Sequence, residues 1–185
     1  MRIRRITAVV LLSGSLLGAG RLVAQAPAPA GPPAKAEDVN SIDAIIAALY
    51  DVISGPAGQA RDWDRFKSLF APGARLIPTG RDQAGKGRLL VWSPQEYAER
   101  AGANLEKTGF FEREIGRAME QYGNIVQVFS AYDSKRTAQD EKPFARGINS
   151  IQLFNDGSRW YVVTIFWESE TPANPIPAQY LKPAR

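Results

Sequence analysis

The chain of 185 residues contains no cysteine and no histidine. Without cysteine it can build no disulfide framework and offers neither a thiolate nucleophile nor the attachment site of a lipoprotein anchor. Without histidine it lacks the side chain that titrates nearest neutral pH and the commonest transition-metal ligand. That excludes Ser–His and Cys–His catalytic pairs, and no metal or cofactor is expected. Long apolar runs are missing as well: the most apolar stretch, residues 6–17, is shorter than the roughly 20 residues that span a bilayer. The body of the chain also lacks an excess of one charge. The 23 Lys+Arg outnumber the 19 Asp+Glu only through Arg2, Arg4, Arg5 and Arg21, all within residues 1–24, where no acidic residue stands. The remainder is neutral, so neither a nucleic-acid partner nor an anionic membrane surface is expected.

What is present divides the chain into four parts. Residues 1–24 have the form of a secretory leader, with a basic start, an apolar middle and small residues near Ala24, after which cleavage is expected. The protein is accordingly expected in the periplasm or secreted, away from the membrane once cleaved. Residues 25–36 are almost wholly Ala and Pro, the composition of an extended linker. Residues 37–170 suit one domain with one core. Residues 171–185 contain Pro172, Pro175, Pro177 and Pro183 and read as an extended strap anchored by Ile176, Tyr180 and Leu181.

Within the domain, Ile42, Ile45, Ile46, Leu49 and Ile53 mark one face of a first helix, stopped by Gly55-Pro56. Trp63, Phe66, Leu69 and Phe70 mark a second, with Asp62 as N-cap. Residues 74–77 and 88–92 read as strands. Ser93-Pro94-Gln95-Glu96 then opens a third helix with a capping box, Tyr97, Ala101 and Leu105 recur along it, and Gly109 closes it. Residues 110–169 read as four antiparallel strands, turning at Tyr122-Gly123, across residues 134–143, and at Asp156-Gly157. Helices followed by a meander specify an α+β fold. If Asp156-Gly157 is a two-residue turn, Ser150 lies opposite Val163, Ile148 opposite Ile165, and Arg146 opposite Trp167. Arg146, Ile148, Ser150, Gln152, Ile165 and Trp167 then share one face, mixing apolar wall and polar groups as ligand cavities do. The second apolar face of the sheet calls for a cover, and a homodimer across the sheet is expected.

Several patterns invite chemistry. Gly80 to Lys86 has phosphate-loop spacing, but Gly87 replaces the required hydroxyl and a strand follows, so the segment reads as a hairpin loop. The doublets Asp62/Asp64, Glu112/Glu114 and Glu168/Glu170 could act as acids and bases; residues two apart on a strand share a face, and solvated edges are expected for them. Arg113 and Arg146 occupy strands among apolar residues, where each needs an acidic partner or a ligand's carboxylate.

The run from Asp62-Trp63-Asp64 through Phe70-Ala71, the run from Arg146 to Leu153, and Asp156-Gly157-Ser158-Arg159-Trp160 leading to Trp167 resemble the nuclear transport factor 2-like superfamily, in particular its SnoaL-like and ketosteroid-isomerase-like members. The resemblance implies a cone-shaped barrel, three N-terminal helices packed in the concave face of a strongly bent, mainly antiparallel sheet, with a pocket at the open end. It implies that Tyr50 donates to a substrate oxygen, but the position of the family's catalytic base falls at Pro78 and that of its second acid at Ser150. A binding protein for a small molecule, its cone lined by Tyr50, Trp63, Arg113, Arg146, Ser150, Gln152 and Trp167 and lacking a proton acceptor, is therefore the expected function. The alternatives are an isomerase, dehydratase or cyclase acting on an apolar or polycyclic substrate through Asp62, Asp64 or Glu112, and a dimeric scaffold with a filled cone.

Overall fold

The computed structural model describes residues 32–182; the leader and the linker as far as residue 31 lie outside the described residues. Four α-helices, α1 (Ala36–Val39), α2 (Ile42–Ile53), α3 (Trp63–Ser68) and α4 (Pro94–Thr108), accompany six strands: β1 (Phe70–Arg81), β2 (Gly87–Leu89), β3 (Phe111–Tyr122), β4 (Ile125–Lys135), β5 (Ala145–Asn155) and β6 (Trp160–Ser169). The strand order is β2-β1-β6-β5-β4-β3, an open mixed sheet in which only β1 and β6 run parallel. This is the expected α+β arrangement, with the short α1 as an addition to the three expected helices. The additional helix begins where Glu37 and Asp38 lie in a first turn, and Ser41 then caps α2 by accepting from Ala44 N at 3.0 Å.

The apolar stripe of α2 is the centre of the core. Ile45, Ile46, Leu49 and Ile53 are buried together with Phe66, Leu76, Val126, Val128, Ile151, Leu153 and Val162 from the inner face of the sheet and from α3. Each such side chain contributes about 1.5–3 kcal/mol by leaving water. Two arginines tie the helices down. Arg65 grips Asp38 with two hydrogen bonds of 2.8 Å, which hold the Asp38 carboxyl below its ordinary range. Arg61, almost fully buried, donates to the carbonyls of Ile53, Gly55 and Leu105 at 3.0, 2.6 and 3.2 Å, satisfying the C-terminal ends of α2 and α4. The α4 capping box forms as its sequence predicts. In the loop after β1, Asp82 accepts from the backbone N–H groups of Ala84 and Lys86, closing a hairpin on itself.

The strand register departs from expectation. Asn155 pairs with Trp160, so the last turn has four residues, and the Asp156 carboxylate organises it by accepting from Ser158 N at 2.8 Å and Arg159 N at 3.0 Å. A bulge in β6, opposite the step from Gln152 to Leu153, then adds one residue. Ser150 therefore lies opposite Phe166, and Trp167 opposite Asn149. Because side chains alternate, this displacement turns Arg146, Ile148, Ser150 and Gln152 to the outer face and brings Asn149 and Ile151 to the inner face beside Trp167 and Ile165. A second irregularity, between Glu114 and Gly116 in β3, places Arg117 opposite Ser130 and on the same face as Glu112 and Glu114. Simple alternation along the strand would turn Arg117 away from them, and the irregularity reverses it. β1 also runs past Pro78, whose carbonyl accepts from Leu90 N at 3.0 Å; little pairing is lost there because β2 is only three residues long.

The C-terminal segment lies along the outer face. Tyr180 stacks on Phe129 with ring centroids 5.3 Å apart, Ile176 is buried, and the chain crosses β3 at Gly116, where a Cβ would collide with the Tyr180 carbonyl. The strap thus takes part of the face on which the sequence places a second subunit, while Tyr122, Ile125 and Phe154 stay exposed at the far end of the same sheet.

Candidate functional site

Between the helices and the inner face lies a hollow of about 130 Å³, lined by Leu49, Tyr50, Ile53, Phe66, Leu76, Tyr97, Phe110, Glu112, Tyr132, Asn149, Ile151, Ile165 and Trp167. That volume is close to the roughly 150 Å³ of a cavity known to take a benzene ring. Its wall is an aromatic cluster in which Tyr97 stacks on Phe66 at 5.3 Å and meets Trp167 edge-on at 6.3 Å.

Glu112 is the one carboxylate in this lining. Its backbone N–H donates to Ser54 Oγ at 3.0 Å, and Ser54 donates to the Tyr50 carbonyl at 2.6 Å, so the end of α2 fixes the start of β3. The carboxylate accepts from Ser134 Oγ at 2.7 Å. Burial among apolar walls pushes its pKa up from 4.5 to about 7, with the charge of Asp133 adding to the rise, while the Ser134 hydroxyl and the Asn149 amide act in the opposite direction. Part of its surface faces the hollow and not bulk water, which is why a half-buried group carries so large a shift. A carboxyl group that titrates near neutrality can both give and take a proton at physiological pH. The expectation of a cone whose lining lacks a proton acceptor is overturned by this residue.

Beside Glu112 runs a chain of hydrogen bonds. Asn149 Nδ2 donates to Tyr50 Oη at 3.1 Å, Tyr50 and Ser130 are joined at 2.7 Å, and Ser130 Oγ donates to Glu114 Oε1 at 2.6 Å. Glu114 in turn is held by Arg117, whose Nε and Nη2 lie 3.0 and 2.6 Å from its oxygens, and Arg117 reaches Asp43 on α2 at 2.7 Å. Glu112 and Glu114, expected at a solvated edge, both point inward. They differ because Glu114 meets a cation and Glu112 does not.

Of the residues expected to line the cone, Tyr50 and Trp167 do so. Trp63 packs behind the wall, edge-on to Phe66 at 5.4 Å and close against Gly102 on α4, where a Cβ would come within 3.1 Å of its ring. Arg113 lies on the outer face, donating to both oxygens of Asp133 at 3.0 Å; Arg146 pairs with Glu170 at 3.0 Å. Each has found its acidic partner within the chain. Ser150 borders a second groove, between the outer face and the strap, and Gln152 lies on the outer face farther along β5. Asp62 caps α3 and Asp64 pairs with Lys67, so neither is near the hollow. Sequence reasoning missed Tyr97, Tyr132 and Asn149. For Tyr132 the signal was the pairing of Glu112 with Ser134 and of Glu114 with Tyr132, which places these side chains on one face; Tyr97 stood on the apolar stripe of α4, and Asn149 depended on the register of the last hairpin. Among the described residues no group of three His, Cys, Asp or Glu side chains is placed to hold a metal ion.

No protein-family model and no curated protein matches the sequence. Solved structures do match. A Nostoc punctiforme protein of unknown function with a cystatin-like fold shares 14% identity at a TM-score of 0.53, covering 74% of this chain and 92% of its own. A Mycobacterium tuberculosis protein of unknown function shares 15% at a TM-score of 0.54, covering 76% and 80%. The protein LinA shares 8% at 0.50, covering 68% and 80%. Proteins described as nuclear transport factor 2-like are among the further similar structures. The chain has this cystatin-like fold.

Proposed function

We propose that the hollow binds a small molecule about the size of one ring and that Glu112 transfers a proton on it, as in an isomerase or lyase. The observation that carries this reading is the Glu112 carboxyl group, set in an apolar cavity without a cationic partner and poised near pH 7. A group with that pKa is half ionised at neutrality, which is where general acid–base catalysis gains most. A hollow of about 130 Å³ accommodates a single ring. Small-molecule chemistry also suits a mostly apolar hollow with a few convergent polar groups. In this reading the protein works outside the cytoplasm, as the leader-like residues 1–24 suggest.

The test is exchange of solvent deuterium into the carbon-bound hydrogens of monocyclic ketones and enones, followed by proton NMR. The protein is expected to accelerate exchange on at least one member, and Glu112→Gln, which keeps shape and hydrogen bonding, is expected to lose about 100-fold or more. Where the carboxylate acts as base, the rate rises with pH through about 7. Exchange by Glu112→Gln at the wild-type rate would remove Glu112 from the chemistry.

A further inference from the structure

We propose that Tyr97 and Tyr132, and not Tyr50, are the hydroxyls that hold an oxygen of the bound molecule, so that the hollow selects a ring bearing a hydrogen-bond-accepting oxygen, such as a cyclic ketone. The inference rests on the hollow being a small-molecule site.

Glu114 is engaged by Arg117 through two of its nitrogens and can only accept, so the single Ser130 proton goes to Glu114 at 2.6 Å. The 2.7 Å contact between Tyr50 and Ser130 then has Tyr50 as donor. Tyr50 also accepts from Asn149 at 3.1 Å. Its one proton is spent inside the protein, directed toward Ser130 and away from the hollow. Burial pushes its phenol well above the ordinary value, so the proton stays where the network puts it.

The other two hydroxyls are differently placed. Tyr97 and Tyr132 line the hollow with Glu112. Among the described residues no partner lies within hydrogen-bonding distance of the Tyr97 hydroxyl, and Tyr132 reaches only Ser169, at 3.5 Å. Both phenols are pushed upward by burial, and the charge of Glu112 adds to it, so both remain protonated donors at neutral pH. Room for the Tyr132 hydroxyl comes from Gly147 on the neighbouring strand, where a Cβ would sit 2.5 Å from Tyr132 Oη. Tyr97, with no partner, and Tyr132, with only a long contact, thus keep hydroxyls free to turn to a ligand beside the proton-transfer group, and an acceptor oxygen is the ligand chemistry that they fit.

The test uses 2-cyclohexenone and its oxygen-free counterpart cyclohexene as probes, with the protein carrying ¹³Cζ-labelled tyrosine. Cyclohexenone is expected to shift the Tyr97 and Tyr132 signals and leave Tyr50 in place, and to bind about tenfold tighter than cyclohexene. In the Tyr97→Phe, Tyr132→Phe double variant that preference is expected to vanish. Should the variant fold poorly, the labelled wild-type spectrum still decides. Movement of the Tyr50 signal alone, or a preference that survives the double variant, would overturn the assignment while leaving the site intact. Probes that perturb no lining residue would overturn the site and this inference together.

Discussion

On the outer face of the sheet Asp133 and Glu170 each hold an arginine at 3.0 Å, whereas on the inner face Glu112 looks into a hollow with only a hydroxyl and an amide to hold it. The contrast is sharper still along β3. Glu112 and Glu114 are two residues apart and point the same way, yet Glu114 is gripped by Arg117 and Glu112 is left to the cavity. Charge neutralisation in this protein is therefore local and selective: carboxylates that hold the structure together are paired, and the one that faces the hollow is kept without a cation. Pairing it would lower its pKa and stabilise the fold at the expense of a group able to exchange protons at neutral pH.

This contrast can be broken experimentally, beginning where it should cost most. Replacing Arg117 by Met strands Glu114 in a largely buried site and is expected to destabilise the fold by about 3–5 kcal/mol in urea unfolding. Replacing Glu112 by Gln should act in the opposite direction. Its folded pKa, about 7, lies above the unfolded value of 4.5, so the folded state binds the extra proton between those limits and wild-type stability falls as pH rises through them. Above pH 7 the ionised group costs up to about 3 kcal/mol, and the variant should recover that amount at pH 8 and nothing at pH 4. Wild-type stability that stays flat between pH 4 and 8 would show that Glu112 is not perturbed.

Smaller effects separate the two faces residue by residue. Asn149→Ala leaves the Tyr50 oxygen and the Glu112 carboxylate each short of a donor, for an expected loss of about 1–3 kcal/mol and an altered Glu112 titration by carboxyl ¹³C NMR. Arg113→Ala removes a mostly exposed side chain but leaves the buried Asp133 carboxylate without its cation, and should cost about 1–3 kcal/mol, with no effect on cyclohexenone binding. Ser150→Ala, one position from Asn149 but on the outer face, should stay within about 0.5 kcal/mol of wild type and leave the hollow untouched. Equal responses at positions 149 and 150 would contradict the observed register.

Much of the scaffold was legible because its signals are local. Ser93 and Glu96 close a capping box within one turn of chain, and the α2 stripe declares its buried face through the spacing of Ile45, Ile46, Leu49 and Ile53. The site was less legible because it depends on strand parity, and parity is not conserved along a bulged strand. Asp156-Gly157 is compatible with a tight two-residue turn or with a longer one capped by the aspartate, and the chain uses the longer one. Each added residue reverses which side chains face inward, so Ser150 and Arg146 were placed in the cone in the stead of Asn149. The same effect at Gly116 hid the pairing of Arg117 with Glu114. Tyr50 and Trp167 do line the hollow: the family resemblance pointed to the first, and both errors in the last hairpin leave the second on an apolar face.

By itself the sequence determined the kind of fold, the capped helices, the absence of thiol and imidazole chemistry, and the presence of acids and arginines that had to be accounted for. Tertiary structure alone decided which carboxylate meets an arginine and which meets a cavity. The reason is that both are written in the same two letters: a glutamate in a strand has the same local chemistry whether a bulge brings a guanidinium to it or leaves it facing an apolar wall, and only the assembled sheet distinguishes the two.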